Sequence, residues 1–150
     1  MLDMGIYNVC LEQDEAFRYC GVGYSMRSYD VDGRVYPCQF FMPLSVGENK
    51  AQKANEIVFP SEEIPKELLD NKCRSCIVRA ACPNCFGANY AATGSIYQCD
   101  DNMCRLTKII MKARSYFRAK QWELGQLHET EDDLQTLLRA IIHIQEELEV

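Results

Sequence analysis

Nine cysteines carry the chemistry this chain is equipped for, at positions 10, 20, 38, 73, 76, 82, 85, 99 and 104 of 150 residues. That frequency is several-fold above ordinary usage. An odd count fits a closed disulfide framework poorly. The N-terminus, MLDMGIYNVCLEQDEAF, puts acidic residues where a secretory signal needs a basic region and then an apolar core. In a reducing compartment, clustered cysteines are metal ligands rather than disulfides. The sequence is therefore expected to be cytoplasmic and metal-binding.

The segment Cys73-x2-Cys76-x5-Cys82-x2-Cys85 is the most informative. A two-residue gap brings two thiolates to the same side of a tight turn, so both can reach one metal or cluster. A zinc ion takes four such ligands, and so does one cubane cluster. Eight or nine cysteines exceed one site and suggest two. Spacing alone leaves iron–sulfur and zinc both open, because zinc ribbons use the same close pairs. An all-thiolate set leans slightly toward iron. Both histidines, His128 and His143, lie away from the cysteines, so neither a mixed Cys/His site nor a Cys–His catalytic pair is expected. Lys72, Arg74, Arg79, Arg105 and Lys108 stand near the ligands and could offset thiolate charge. For most of them, ordinary solvation is the simpler reading.

Composition narrows the partners. A formal charge of −6 argues against a general nucleic-acid or membrane-surface binder, which would carry a basic stripe. No apolar run reaches the length of a bilayer span. The chain is long enough for one compact domain with a helical appendage.

Several elements must position these thiols. SMRSYDVDGRVYPC reads as a β-hairpin, with Asp32-Gly33 as a two-residue turn and Tyr29, Val31, Val35 and Tyr36 on the flanking strands. Pro37 ends the pairing before Cys38, and the hairpin returns Cys38 toward Cys20. Residues 43–56 read as a polar connection, and Pro65–Leu69 as a short helical stretch opening at Pro65. Beyond Cys104 the chain reads as two helices. Leu106, Ile110, Ala113 and Phe117 mark the apolar face of the first, which stops near Gly125. Thr130 caps the second, whose first turn is acidic. Leu134, Leu137, Ile141, Ile144 and Leu148 form its seam. An antiparallel hairpin packed on its own domain would use that seam, and a helix-mediated dimer is the alternative.

The order of motifs is similar to a known family. Cys20, twelve residues, Gly33, four residues, Cys38; then Cys73-x2-Cys76-x5-Cys82-x2-Cys85; then Cys104. This resembles the SPASM domain, the C-terminal extension of many radical SAM enzymes that mature ribosomal peptides or modify proteins. VDGRVYPCQFF, NCFGANY and MCRLTK agree with it, over roughly residues 20 to 117. One spacing departs: the family often has three residues between the last two cysteines of the compact cluster, where Pro83-Asn84 gives two.

The resemblance implies two auxiliary 4Fe–4S clusters with interleaved ligands. Cys73, Cys76, Cys82 and Cys104 would hold one, and Cys20, Cys38 and Cys85 the other. The stretch after Cys20, GVGYSMRS, lacks the extra cysteine some members place there. Cys10 or Cys99 would then be the fourth ligand of the second cluster, or one iron would stay open. Cys10 and Cys99 read equally well as buried thiols acting as small hydrophobes. The implied fold is α+β: a small Cys-rich domain with a β-hairpin and short helices around two clusters, then a C-terminal helical hairpin. The expected organisation is a lead-in over 1–19, the twin-cluster domain over 20–117 and a helical tail over 118–150.

A radical SAM barrel carries C-x3-C-x2-C, and no cysteines here have that spacing. Nor do nineteen residues before Cys20 leave room for a barrel of roughly 200 residues or more. The chain alone is therefore expected neither to bind S-adenosylmethionine nor to start radical chemistry. Its expected partners are a radical SAM barrel, in the same or a separate chain, and that enzyme's peptide or protein substrate. A zinc-bound structural or interaction module is the alternative.

Overall fold

The structure is a computed structural model that describes residues 4–7, 9, 16–17, 20–60, 63–64 and 66–150. Cys10, Pro65 and most of the lead-in segment lie outside the described residues. Among the described residues helix dominates at 59%; the expected β-hairpin and C-terminal helices are present, with strand limited to two minimal antiparallel pairs. The elements run α1 (Met4–Tyr7), β1 (Ala16–Phe17), β2 (Ser28–Tyr29), β3 (Val35–Tyr36), α2 (Pro43–Val46), α3 (Glu48–Lys53), β4 (Glu63–Ile64), α4 (Asn71–Arg74), α5 (Phe86–Thr93), α6 (Asp101–Glu123) and α7 (Glu131–Glu147). Short 3-10 turns cover Gln39–Phe41, Ala54–Glu56, Lys66–Leu68 and Arg79–Ala81. These elements gather into two compact units that alternate along the chain. A helical unit takes 1–14, 71–82 and 104–150, and a hairpin unit takes 15–70 and 83–103.

In the hairpin unit β2 and β3 pair antiparallel, Ser28 opposite Tyr36 and Tyr29 opposite Val35. The pairing continues through the Asp30 N–H to Arg34 carbonyl bond of 3.1 Å. The loop is thus Val31-Asp32-Gly33, one residue longer than the expected two-residue turn, and Val31 is fully exposed at its tip. The reason lies in Asp30. Its carboxylate accepts the N–H of Asp32 (3.0 Å) and of Arg34 (2.9 Å), an aspartate turn that fixes the wider loop. Gly33 closes it at φ 80°, a conformation that a β-carbon disfavours. Pro37 ends the ladder as expected, since β3 stops at Tyr36.

Asp30 also accepts the Tyr36 hydroxyl at 3.0 Å and pairs with Arg34 at 2.8 Å. Burial alone would raise its carboxyl, but the Arg34 N–H, the Tyr36 hydroxyl and the Arg34 guanidinium outweigh it and hold it below the ordinary value of 3.8. A depressed carboxyl stabilises the fold above its unfolded value, and that contribution disappears as pH falls through the folded one. Asp30→Asn should therefore lower thermal stability at neutral pH, and the gap from wild type should close under acid. The effect should also shrink with added salt, because Arg34 is exposed.

The expected polar connection over 43–56 is helical instead. Pro43 opens α2 at its first position, where the missing donor costs nothing. Gly47 breaks α2 from α3 at φ 79°. Ala51 and Ala54 supply the apolar side and are fully buried, a two-residue pattern too sparse to read as amphipathic. Phe41, Phe59, Phe86, Tyr90 and Tyr97 build the core of this unit through ring contacts of 5.3–6.4 Å, within the favourable range for edge and tilted pairs. Helix α5 closes over them and ends at Gly94 in the left-handed conformation, whose N–H reaches the Tyr90 carbonyl.

The helical unit holds the expected C-terminal hairpin. Gly125, at φ 66°, stops α6: its N–H bonds the Trp122 carbonyl and the Gln126 N–H reaches back to Gln121, the paired bonds of a Schellman end. Thr130 caps α7, its hydroxyl accepting the Asp133 N–H at 3.2 Å. Leu137, Ile141, Ile144 and Leu148 are buried with Ile6, Val9, Val78 and Met111 in one core, so the α7 seam is covered within its own unit. Leu137→Ala should cost about 3 kcal/mol, read as a lower denaturant midpoint with an unchanged slope.

The apolar face expected for α6 is not the one it buries. Met111, Ser115 and Arg118 are buried, whereas Leu106, Ile110 and Phe117 are exposed. Polar residues can face inward there because each has partners. Ser115 Oγ donates to the Lys112 carbonyl at 2.9 Å and accepts from Gln145 at 2.5 Å. Arg118 pairs with Glu129 and donates to Gln121 at 3.0 Å. Among the described residues, no helix is long and apolar enough to cross a membrane.

Candidate metal centre

Cys38 leaves β3 in fully extended conformation and caps the Gln39–Phe41 turn. It is buried. Burial pushes its thiol up most strongly, the backbone N–H of Phe40 opposes this, and the neighbouring Cys20 and Cys85 push it up further. The Phe41 N–H also lowers it. Cys20 and Cys85 are thus near enough to Cys38 to act on its thiol, as are the backbone N–H groups of Phe40 and Phe41. Such donors stabilise a thiolate and tune the potential of whatever it binds.

The elements behind this convergence are local. Cys20 is followed by Gly21, whose carbonyl accepts the N–H groups of Tyr24, Ser25 and Met26 at 2.9–3.1 Å, a tight loop between Cys20 and the hairpin. Cys85 is the N-cap of α5, and its carbonyl accepts the Asn89 N–H at 3.0 Å. Gly87 lets α5 approach the Cys38 turn, since a β-carbon there would sit 2.3 Å from Phe40 Cβ.

Asn89 completes the frame. It is almost fully buried, donates to Asn84 (2.9 Å) and the Ile96 carbonyl (3.0 Å), and accepts the Asp100 N–H (3.0 Å). One amide thereby ties the neighbour of Cys85 to the neighbour of Cys99. The Cys99 N–H donates to Asp70 at 3.2 Å, and its thiol points to the Asp100 carbonyl at 3.6 Å. Cys99 thus shares the hairpin unit with Cys20, Cys38 and Cys85. Sequence reasoning assigned no role to Gly87 or Asn89. Both sit in NCFGANY, where a glycine inside a helix was the one available signal.

The other four described cysteines belong to the helical unit. Cys73 lies in α4, and a chain of tight turns follows: the Cys76 N–H meets the Cys73 carbonyl at 3.3 Å, Arg79 meets Cys76 at 3.0 Å, and Cys82 meets Arg79 at 3.2 Å. Arg79 also donates to the Arg74 carbonyl at 2.6 Å, bracing the turn between the close pair. Cys76 packs against the core beside buried Val78. Cys104 sits in the first turn of α6, where the helix's positive end favours a thiolate.

No known family model, curated protein or solved structure matches this chain. The reading of the site therefore stands on the residues themselves. Among the described residues, no three of His, Cys, Asp and Glu are drawn close enough to hold a single metal ion. His143 Nδ1 lies 3.0 Å from Glu147, a helix-surface pair rather than a partner of any thiol. The donor set is one of soft thiols, with four of the described cysteines in each unit, a set that iron–sulfur clusters and zinc both accept.

Proposed function

We propose that this chain is an auxiliary iron–sulfur module similar to the SPASM domain, serving a radical SAM enzyme that modifies a peptide or protein. One observation carries the reading. The seven cysteines that the resemblance assigns to clusters fall by unit in the same grouping: Cys73, Cys76, Cys82 and Cys104 in one, Cys20, Cys38 and Cys85 in the other.

Cys99 is the fourth ligand of the Cys20 set in this reading, supported by its place in the same unit and by its tie through Asp100 and Asn89. A 4Fe–4S cluster, when bound, accepts or passes single electrons or anchors a substrate donor atom. The chain's own part is to hold the thiolates, to direct the Phe40 and Phe41 N–H groups at Cys38, and to cover that sulfur from water. Full ligation by four cysteines in each unit favours electron transfer, because a saturated iron has no place for a substrate atom. The setting is a reducing cytoplasm, with the radical-generating barrel on the same or a separate chain.

Anaerobic purification with iron, sulfide and zinc analysis tests this. About eight irons with matching sulfide, and a brown absorption that fades on reduction, are expected. Stoichiometric zinc without sulfide would replace the proposal with a structural zinc module.

A further inference from the structure

Helix α6 carries a surface the cluster reading does not use. Leu106 is 47% exposed, Ile109 45%, Ile110 38% and Phe117 61%. Spaced three, four and seven apart, these residues and Ala113 share one side of the helix over three turns. Met111, Ser115 and Arg118 occupy the opposite, buried side. Scattered surface hydrophobics are normal, but a continuous stripe marks a binding surface.

Charge selects the occupant. The whole chain is −6, yet α6 has six basic residues and only two acidic ones, Asp101 and Glu123, at its ends. Arg118 and Lys120 are paired with Glu129 and Glu123. Among the described residues, Arg105, Lys108, Lys112 and Arg114 meet no carboxylate of this chain. The stripe is thus an apolar band with unneutralised positive charge beside it.

We propose that this face of α6 docks an acidic protein segment with apolar anchors, an amphipathic helix laid along the stripe. Its leucine-like side chains cover Leu106, Ile110 and Phe117, and its carboxylates meet Arg105, Lys112 and Arg114. Positive charge flanking an apolar groove speeds encounter with such a partner and rejects basic ones. A second copy of the chain is disfavoured, because symmetric pairing sets the same basic flank against itself within a Debye length. An anionic bilayer is disfavoured by the net negative charge of the remainder.

The test uses the full chain and two labelled synthetic peptides with identical leucines at helical spacing, one flanked by Glu and one by Lys. Fluorescence anisotropy should show saturable binding of the Glu peptide that weakens as salt rises, and none of the Lys peptide. Ile110→Ser and Phe117→Ser should each weaken it about tenfold, or 1.4 kcal/mol. Both positions are exposed, so the fold should be unaffected, which circular dichroism would verify. Arg105→Glu with Arg114→Glu should abolish the salt dependence. Equal binding of both peptides, no binding of either, or indifference to the serine variants would overturn the proposal. So would a dimer in light scattering that Phe117→Ser dissociates, or co-sedimentation with phosphatidylserine vesicles that the Glu peptide fails to compete.

Discussion

Under the twin-cluster proposal, Cys82→Ala should remove about half of the iron and Cys38→Ala the other half, each leaving a cluster of about four irons behind. The expectation follows from the partition of ligands. Cys82 lies in the helical unit and Cys38 in the hairpin unit, so each deletion opens one site and leaves the other unit's thiolates in place. The two losses should also differ in character. Cys38 is buried with backbone donors at its sulfur, so its replacement leaves a dry, donor-lined gap that neither water nor a small thiol fills well. Cys82 is only half-buried, and added thiol should partly restore iron to Cys82→Ala but little to Cys38→Ala. Iron and sulfide analysis with electron paramagnetic resonance of the reduced variants would read both effects. If either single replacement stripped all the iron, the ligand sets would not divide by unit, and the twin-site assignment would fail.

The sequence made the covalent punctuation of this chain readable. Gly125 ends α6, Thr130 caps α7, Pro37 stops β3 and the α7 seam is buried, because each depends on a residue's own stereochemistry or on a long apolar repeat. The hairpin that leads into Cys38 was legible too, since its pairing is local. Other features were hidden for a physical reason. The inward side of α6 could not be read from periodicity, because Ser115 and Arg118 are buried by virtue of partners on Gln145 and Glu129, residues far along the chain. The helical run over 43–56 was masked by its polar surface, with two small alanines, Ala51 and Ala54, doing the packing. Alanine buries little area and so leaves little trace in a hydropathy pattern.

Gly87→Ala should expose how tightly the hairpin site depends on that packing. Inside a helix this exchange ordinarily stabilises by up to about 1 kcal/mol, because glycine loses more backbone freedom on folding. Here the added methyl would lie 2.3 Å from Phe40 Cβ and 3.2 Å from its Cγ, far inside contact distance. Phe40 Cβ is fixed to the backbone of the Gln39–Phe41 turn, so rotating the side chain gives no relief, and α5 and the turn must separate. Overpacking of this kind costs about 1–3 kcal/mol, enough to reverse the helix gain. The displaced pieces are those next to the proposed ligands: Cys38 is the N-cap of the turn and Cys85 that of α5. The variant should therefore melt below wild type and, under the twin-cluster proposal, hold about half the iron, that of the helical unit. Exchanging the two residues supplies the decisive arm. Phe40→Gly in the Gly87→Ala background removes the opposing Cβ and should restore iron, whereas Phe40→Gly alone should not raise it, a coupling that a double-mutant cycle would measure. A Gly87→Ala chain with full iron and raised stability would show that α5 and the Cys38 turn are not in close contact, and the geometry of the Cys20, Cys38 and Cys85 site would have to be redrawn.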